Sequence, residues 1–173
     1  SLSGPAALVA DTADATPQAP SEDVFTPLER RMVRGVLELS RRPITAIMTR
    51  RPDVEWIDVS AACDDVLAKL RASRHREFPI GRGSIDEVLG VARKEDLLAL
   101  CLQSERVEID KVMSEPVAAP ASATVLDALE LFKRAPLELV VVVDEYGGFA
   151  GVVTRADLLE AIAGDLPEAL AGE

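Results

Sequence analysis

The sequence predicts an α+β fold: two β-α-β-β-α units packed through their sheets, preceded by one helix. Three observations carry this. First, the chain repeats itself. Ile47-Met48-Thr49 is echoed by Val112-Met113-Ser114, 65 residues on. Asp65-Val66-Leu67 with Leu70 is echoed by Asp127-Ala128-Leu129 with Phe132, 62 on. Gly90-Val91 with Asp96-Leu97-Leu98 is echoed by Gly151-Val152 with Asp157-Leu158-Leu159, 61 on. Landmarks in one order at one spacing mean two copies of a unit of about 60 residues. Second, Leu139 to Val143 is an unbroken apolar run without alternation, which fits a strand covered on both faces. Third, 48% of the 173 residues are hydrophobic but only 3% aromatic. The core is therefore expected to be aliphatic, and large enough for one domain or two small ones.

Residues 1–25 are expected to be a disordered linker or expression tail. They are rich in Ala, Pro, Ser, Thr and Asp and have no periodicity. Ser1-Leu2 reads as a cloning scar, which makes the chain an excised piece of something larger. Residues 26–42 form a connector helix. Thr26-Pro27-Leu28-Glu29 combines an N-cap, a proline at the first helical position and a Glu at N3. Leu28, Met32, Val33, Val36 and Leu37 then recur at helical spacing as far as Ser40.

The first unit is expected over 43–106 and the second over 107–168, with a tail at 169–173. Each opens with an extended segment, at Val54–Val59 and Val117–Ala118. An amphipathic helix follows, at Cys63–Ser73 and Thr124–Arg134, the second capped by Ser122. Two strands come next: Glu77–Ile80 with Val88–Val91, and Leu139–Val143 with Phe149–Val153. The loop Asp144-Glu145-Tyr146-Gly147-Gly148 has two glycines free to take positive φ, and Tyr146 on it is either loop or contact. A last helix closes each unit, at Lys94–Gln103 and Arg155–Ala163. Three strands and two helices cannot cover both faces of a sheet, but paired units can.

Charge and composition exclude several function classes. The net charge of −11 and the scarcity of aromatics leave neither a basic footprint nor stacking platforms for nucleic acid. The longest apolar run is far below the about 18 residues of a membrane span, and no cationic flank marks a signal peptide. The chain as given is expected to be soluble. Cys63 and Cys101 stand apart and read as reduced, buried thiols. His75, the single histidine, lies between Arg74 and Arg76, which repel a metal cation. Asp144 and Glu145 are adjacent on a turn and make no opposed acid–base pair. No residue set supports catalysis. The charge is also uneven: residues 28–94 sum to +4 and 95–173 to −11. An anionic ligand would sit toward the first unit.

A tandem β-α-β-β-α repeat ending in Gly-hydrophobic-x-Thr-x-x-Asp resembles a pair of CBS domains. The segment from Ile47-Met48-Thr49 through Trp56-Ile57-Asp58 is similar to the IMTPRxDIxWLD stretch of one family. Ser73-Arg74-His75-Arg76-Glu77-Phe78-Pro79-Ile80 resembles its S-x-H-S-R-F/Y-P-V segment. Val143-Asp144-Glu145-Tyr146-Gly147-Gly148, with Gly151-Val152-Val153-Thr154 and Glu160 to Asp165, resembles its VDEYGG and GLVTxxDxxEEIVGE stretches. That family is the CorC/HlyC group with the TerC-type membrane proteins that share its cytosolic part. The likeness covers about residues 27–168. Arg50 departs from it by replacing the family's proline after Met-Thr, and Arg93 stands in the first copy where the second has Thr154.

The resemblance implies a regulatory module that binds ATP or AMP, with or without magnesium on the phosphates. It implies the cytosolic part of a bacterial inner-membrane ion transport or resistance protein, with the membrane domain as partner and a homodimer as the assembly. A ligand-free dimerisation scaffold is the alternative. Asp157 can accept two ribose hydroxyls, and Thr154 can add a hydroxyl near a helix N-terminus that favours anions. A plainer reading is that Thr154 caps the helix and Asp157 braces its first turn. Val117, Val140 and Val141 are candidates for the base slot, and Phe78 and Pro79 are further nucleotide-binding candidates. Asp96 repeats Asp157 in the first copy. Arg93, Arg76 and His75 are candidate phosphate groups, or else solvated cations at a helix end.

Overall fold

A computed structural model describes residues 24–104, 106, 108–134, 136 and 138–165. Residues 1–23 of the expected linker, Leu166 to Glu168 and the 169–173 tail lie outside the described residues. In chain order the elements are α1 Pro27–Arg41, β1 Thr49–Arg50, β2 Ile57–Asp58, α2 Cys63–Ala72, β3 Glu77–Gly81, β4 Gly90–Arg93, α3 Lys94–Gln103, β5 Ala118–Pro120, α4 Val125–Arg134, β6 Leu139–Val143, β7 Phe149–Thr154 and α5 Arg155–Asp165. The β-α-β-β-α order appears twice.

The strands form two sheets. One has the order β2-β3-β4, the other β1-β7-β6-β5. Each unit's first and second strands run parallel around a crossover helix, and its second and third run antiparallel. Helices cover the outer faces. The inner faces meet in an apolar layer built from Val54, Ile85, Val91, Leu139, Val141, Phe149 and Val152. β6 shows why its run lacks alternation. Val140 and Val142 face α4 and α5, while Leu139 and Val141 face the other sheet.

The two units exchange their leading segments. β1 pairs antiparallel with β7, placing Arg50 opposite Gly151. It thus belongs to the second unit's sheet although it precedes the first unit in sequence. Reciprocally, Ser114 and Val91 exchange two backbone hydrogen bonds of 2.9 Å, which lays the Val112–Ser114 segment on β4 of the first unit. The Met-Thr and Met-Ser echoes are therefore the two halves of one exchange. The glycines of the repeat are where it crosses. A Cβ at Gly90 would sit 2.9 Å from the Met113 Cβ, and one at Gly151 would strike the carbonyl oxygen of Thr49.

Thr26 caps α1 by accepting the amide of Glu29 at 3.2 Å. The helix lies on α4 and α5 of the second unit and buries Gly35 and Leu39 there. The apolar arc predicted by spacing is wider than this groove. Met32, Val33, Val36 and Leu37 remain exposed. Past the helix, the Ile44 amide donates to Ala123 and the Val125 amide to Arg42, at 2.8 and 2.9 Å, and Ile44 is fully buried. The connector is thereby fastened to the second unit. α4 is capped by Thr124 rather than Ser122: Thr124 Oγ accepts from Asp127 N at 3.1 Å and Asp127 returns the bond at 2.9 Å. In the β6–β7 loop, Asp144 accepts from the amides of Tyr146 and Gly148, Gly147 takes φ +79°, and Tyr146 points into solvent.

Candidate functional site

β7 ends at Thr154 and α5 starts at the next residue, so the helix N-terminus opens beside the junction of the two sheets. Thr154 and Asp157 form a reciprocal box. The Thr154 amide donates to Asp157 Oδ2 at 2.9 Å, and the Asp157 amide donates to Thr154 Oγ at 3.1 Å. This satisfies two backbone donors that the helix end would otherwise leave open. It uses one lone pair of the hydroxyl and one carboxylate oxygen. The hydroxyl hydrogen of Thr154 and Oδ1 of Asp157 stay available for a ligand. Capping and ligand binding are compatible here.

Asp157 is the residue at which two cavities meet. One, of about 340 Å³, is lined by Arg74, His75, Arg76, Glu138, Thr154 and Asp157, among others. The other, of about 380 Å³, is lined by Arg42, Ala46, Ile47, Asp157, Ala161 and Gly164, among others. The first sets Arg74, Arg76 and Arg155 beside Glu77, Glu138 and Asp157; the second sets Ala46, Ile47, Ala161 and Gly164 among Arg42, Asp157 and Glu160. Both volumes fall in the roughly 300–1,000 Å³ range of small-molecule sites. The segment Arg74 to Arg76 is held by its own network. Ser73, which is buried, donates to Glu55 and accepts the His75 amide at 3.1 Å, while Lys94 Nζ donates to the Ser73 carbonyl at 2.8 Å. His75 Nε2 lies 3.7 Å from Glu55.

The first unit presents a related but different corner. Arg93 occupies the N-cap of α3 and offers no acceptor, so Asp96 has no partner for a capping box. Arg76, Glu77, Arg93, Lys94 and Glu138 line a third cavity, of about 460 Å³, which shares Arg76, Glu77 and Glu138 with the one at Thr154. Arg93 Nε lies 3.8 Å from Glu77, whose side chain is 13% exposed. Burial pushes the Glu77 carboxyl above its usual range; Arg93 pulls it back and Glu138 adds to the rise. The native state therefore holds the Glu77 proton more tightly than the unfolded chain. The stability from this group is complete below its unfolded value near 4.5 and is lost as pH climbs through the folded value. Glu77→Gln removes the penalty. It is expected to raise the melting temperature at pH 7.5 by about 2–4 °C and to change it less at pH 4. Thermal melts at both pH values check this, and an equal change at both would contradict it.

The structure thus gathers Thr154, Asp157, His75, Arg76 and Arg93 around adjoining cavities. Asp96 is exposed on α3 and lines none of these three. The apolar candidates do not reach them either. Val140 is 0% and Val141 3% exposed, in the two cores on either side of β6, and Phe78 and Pro79 are fully buried in β3. Val117 packs against the second unit's core. The apolar wall is instead made by Ala46 and Ile47. They precede β1 in sequence and reach α5 only because that segment crosses to the other unit. Glu77 and Glu138 were also missed as cleft residues. Each begins or directly precedes its unit's middle strand, and that position was the available signal.

A family profile described as "CBS domain" matches residues 108–164. The chain is a CBS-domain protein. Among solved structures, the chain is similar to the CBS domain of the bacterial CNNM/CorC family Mg2+ transporter in complex with ATP. Identity is 33%, the TM-score 0.71, and the match covers 80% of this chain and 99% of that one. It is also similar to a CBS-domain pair with bound AMP from Klebsiella pneumoniae, at 25% identity and TM-score 0.62, covering 71% and 99%. Among curated proteins, the "UPF0053 protein in cps region" of Klebsiella pneumoniae is 36% identical over 94% of this chain. The "UPF0053 inner membrane protein YoaE" of Escherichia coli strain K12 is 34% identical over 92%. The chain spans 51% and 31% of those two proteins. Among the described residues no helix is long and apolar enough to cross a membrane.

Proposed function

We propose that this CBS pair is a regulatory module that binds an adenine nucleotide, and that it is the cytosolic part of a CorC/TerC-type bacterial inner-membrane protein. The observation that carries the reading is the position of Asp157 between a cavity partly walled by Ala46, Ile47 and Ala161 and one that holds Arg74, Arg76 and Arg155 beside Glu77 and Glu138. A nucleotide has the same order of parts: a flat base, a ribose with two hydroxyls, and anionic phosphates. The base goes to the slot walled by Ala46, Ile47 and Ala161, the ribose hydroxyls to Asp157 and Thr154, and the phosphates toward Arg74, His75 and Arg76. The similar structures with ATP and AMP support an adenine nucleotide as the class of ligand.

The site draws on both units, because Arg76 comes from the first and Asp157 from the second. Phosphate contact at Arg76 links the packing of the two units to occupancy. A ligand shifts their arrangement only by its differential affinity for the two states. α1 rests on α4 and α5, so a change at α5 reaches the connector directly. Glu77 and Glu138 oppose bare phosphates, and magnesium carried by the nucleotide relieves that opposition. Leu98 and Leu159, equivalent positions on α3 and α5, are both exposed and offer a self-complementary face for a homodimer.

Calorimetry with ATP and with adenosine, each with and without magnesium, tests the reading. ATP with magnesium is expected to bind at least tenfold more tightly than adenosine. The reading fails if neither ligand gives heat under any condition.

A further inference from the structure

Cys63 opens α2 and Cys101 lies in the last turn of α3. They are not the separate buried thiols that the sequence suggests. Cys63 Sγ lies 3.7 Å from the Cys101 carbonyl oxygen and 3.8 Å from that of Ser104. Both are partly exposed and line one open cavity of about 460 Å³ with Asp64 and Leu102.

We propose that Cys63 and Cys101 are a redox-active dithiol that closes to an intramolecular disulfide by exchange with a small-molecule disulfide. The two sulfurs have different roles. Cys63 is the first residue of a ten-residue helix. Cys101 is held protonated: burial first, then the hydrogen bond and charge of Cys63, push it up to about 12. Cys63 is therefore the attacking thiol and Cys101 the resolving one. The Cys63 thiolate attacks one sulfur of the disulfide RSSR and expels RS⁻, which takes a proton. In the resulting mixed disulfide Cys63 no longer carries charge, so Cys101 ionises more readily. Its thiolate attacks Cys63 Sγ and expels the second RS⁻. The protein loses two electrons and two protons, and RSSR becomes two RSH. A dithiol in a reducing compartment is a sensor rather than a structural staple. The new bond ties the start of α2 to the end of α3, the helix whose first residue, Lys94, lines the cleft with Arg76 and Glu77.

The test uses the whole chain equilibrated in mixtures of reduced and oxidised glutathione, acid-quenched, alkylated unfolded and weighed intact. The expected result is a species lighter by two hydrogens that yields a linked Cys63–Cys101 peptide. Cys101→Ser should stop at a glutathione adduct on Cys63, and Cys63→Ser should slow modification of Cys101 at least tenfold. The proposal is overturned if the unsubstituted chain only accumulates glutathione adducts, if its thiols react only after unfolding, or if Cys63→Ser reacts as fast as the unsubstituted chain. No nucleotide enters the measurement, so its outcome is independent of the nucleotide reading.

Discussion

Asp157→Ala and Asp127→Ala are expected to lower the melting temperature by similar amounts, but only Asp157→Ala should cut the rise caused by ATP to about half or less. The pair works as a test because the two aspartates do the same local work. Each accepts the amide of a threonine three residues earlier at 2.9 Å, and each donates its own amide to that threonine at 3.1 Å. Losing the side-chain half of either box costs about 1 kcal/mol, or about 2–4 °C in a domain of this size. The difference lies in what each box faces. Asp157 lines both the cavity of Ala46 and Ile47 and that of Arg74 and Arg76, whereas Asp127 lines a separate cavity on α4. A ligand at a hundred times its Kd stabilises by about 2.7 kcal/mol. Hydrogen bonds to a charged acceptor contribute about 1.5–3 kcal/mol, so removing the ribose acceptor should weaken ATP by about tenfold or more. Thermal melts of both variants, with and without magnesium and ATP, decide the matter. If Asp157→Ala keeps the full ATP shift, Asp157 is only a helix cap and the proposed site is wrong.

Gly151→Ala should be strongly destabilising, costing about 2–3 kcal/mol. The new methyl would lie against the backbone oxygen of Thr49, with Met48 Sδ 3.2 Å away. A flexible side chain could move aside, but the Thr49 carbonyl sits in the β1–β7 ladder and cannot move without breaking it. The expected result is loss of β1 from the second sheet, read as lost amide protection at Thr49 and Arg50 in hydrogen exchange. ATP affinity should fall with it, because Ala46 and Ile47 lead into β1. An alanine variant that melts within 2 °C of the parent and keeps protected β1 amides would show that the exchange tolerates a side chain there. Gly90→Ala probes the reciprocal crossing, where a Cβ meets Met113 Cβ at 2.9 Å and the Ser114 oxygen at 3.0 Å.

Much of the fold was legible because it rests on local patterns. The unit repeat, the helix starting at Pro27 and the doubly covered strand at Leu139–Val143 all follow from spacing and residue type. The polar half of the site was legible as well. Thr154 and Asp157 are three residues apart at a strand-to-helix turn, so the chain itself brings them together. The apolar half was not. Valines beside the motif were natural candidates for a base slot, but Val140 and Val141 are buried in the cores on either side of β6.

The sequence by itself determined that there are two like units, where each begins its helices, and which turn carries a paired hydroxyl and carboxylate. Only the tertiary structure decided which residues from distant parts of the chain share a cavity. Ile47 reaches Asp157, Arg76 faces Thr154, and Cys63 meets Cys101 because segments cross between units or helices pack end to end. The physical reason is that secondary structure follows from contacts a few residues apart, which periodicity records. A binding cleft follows from which surfaces are left uncovered after the cores have closed. Here the exchange of β1 and the Val112–Ser114 segment sets that remainder.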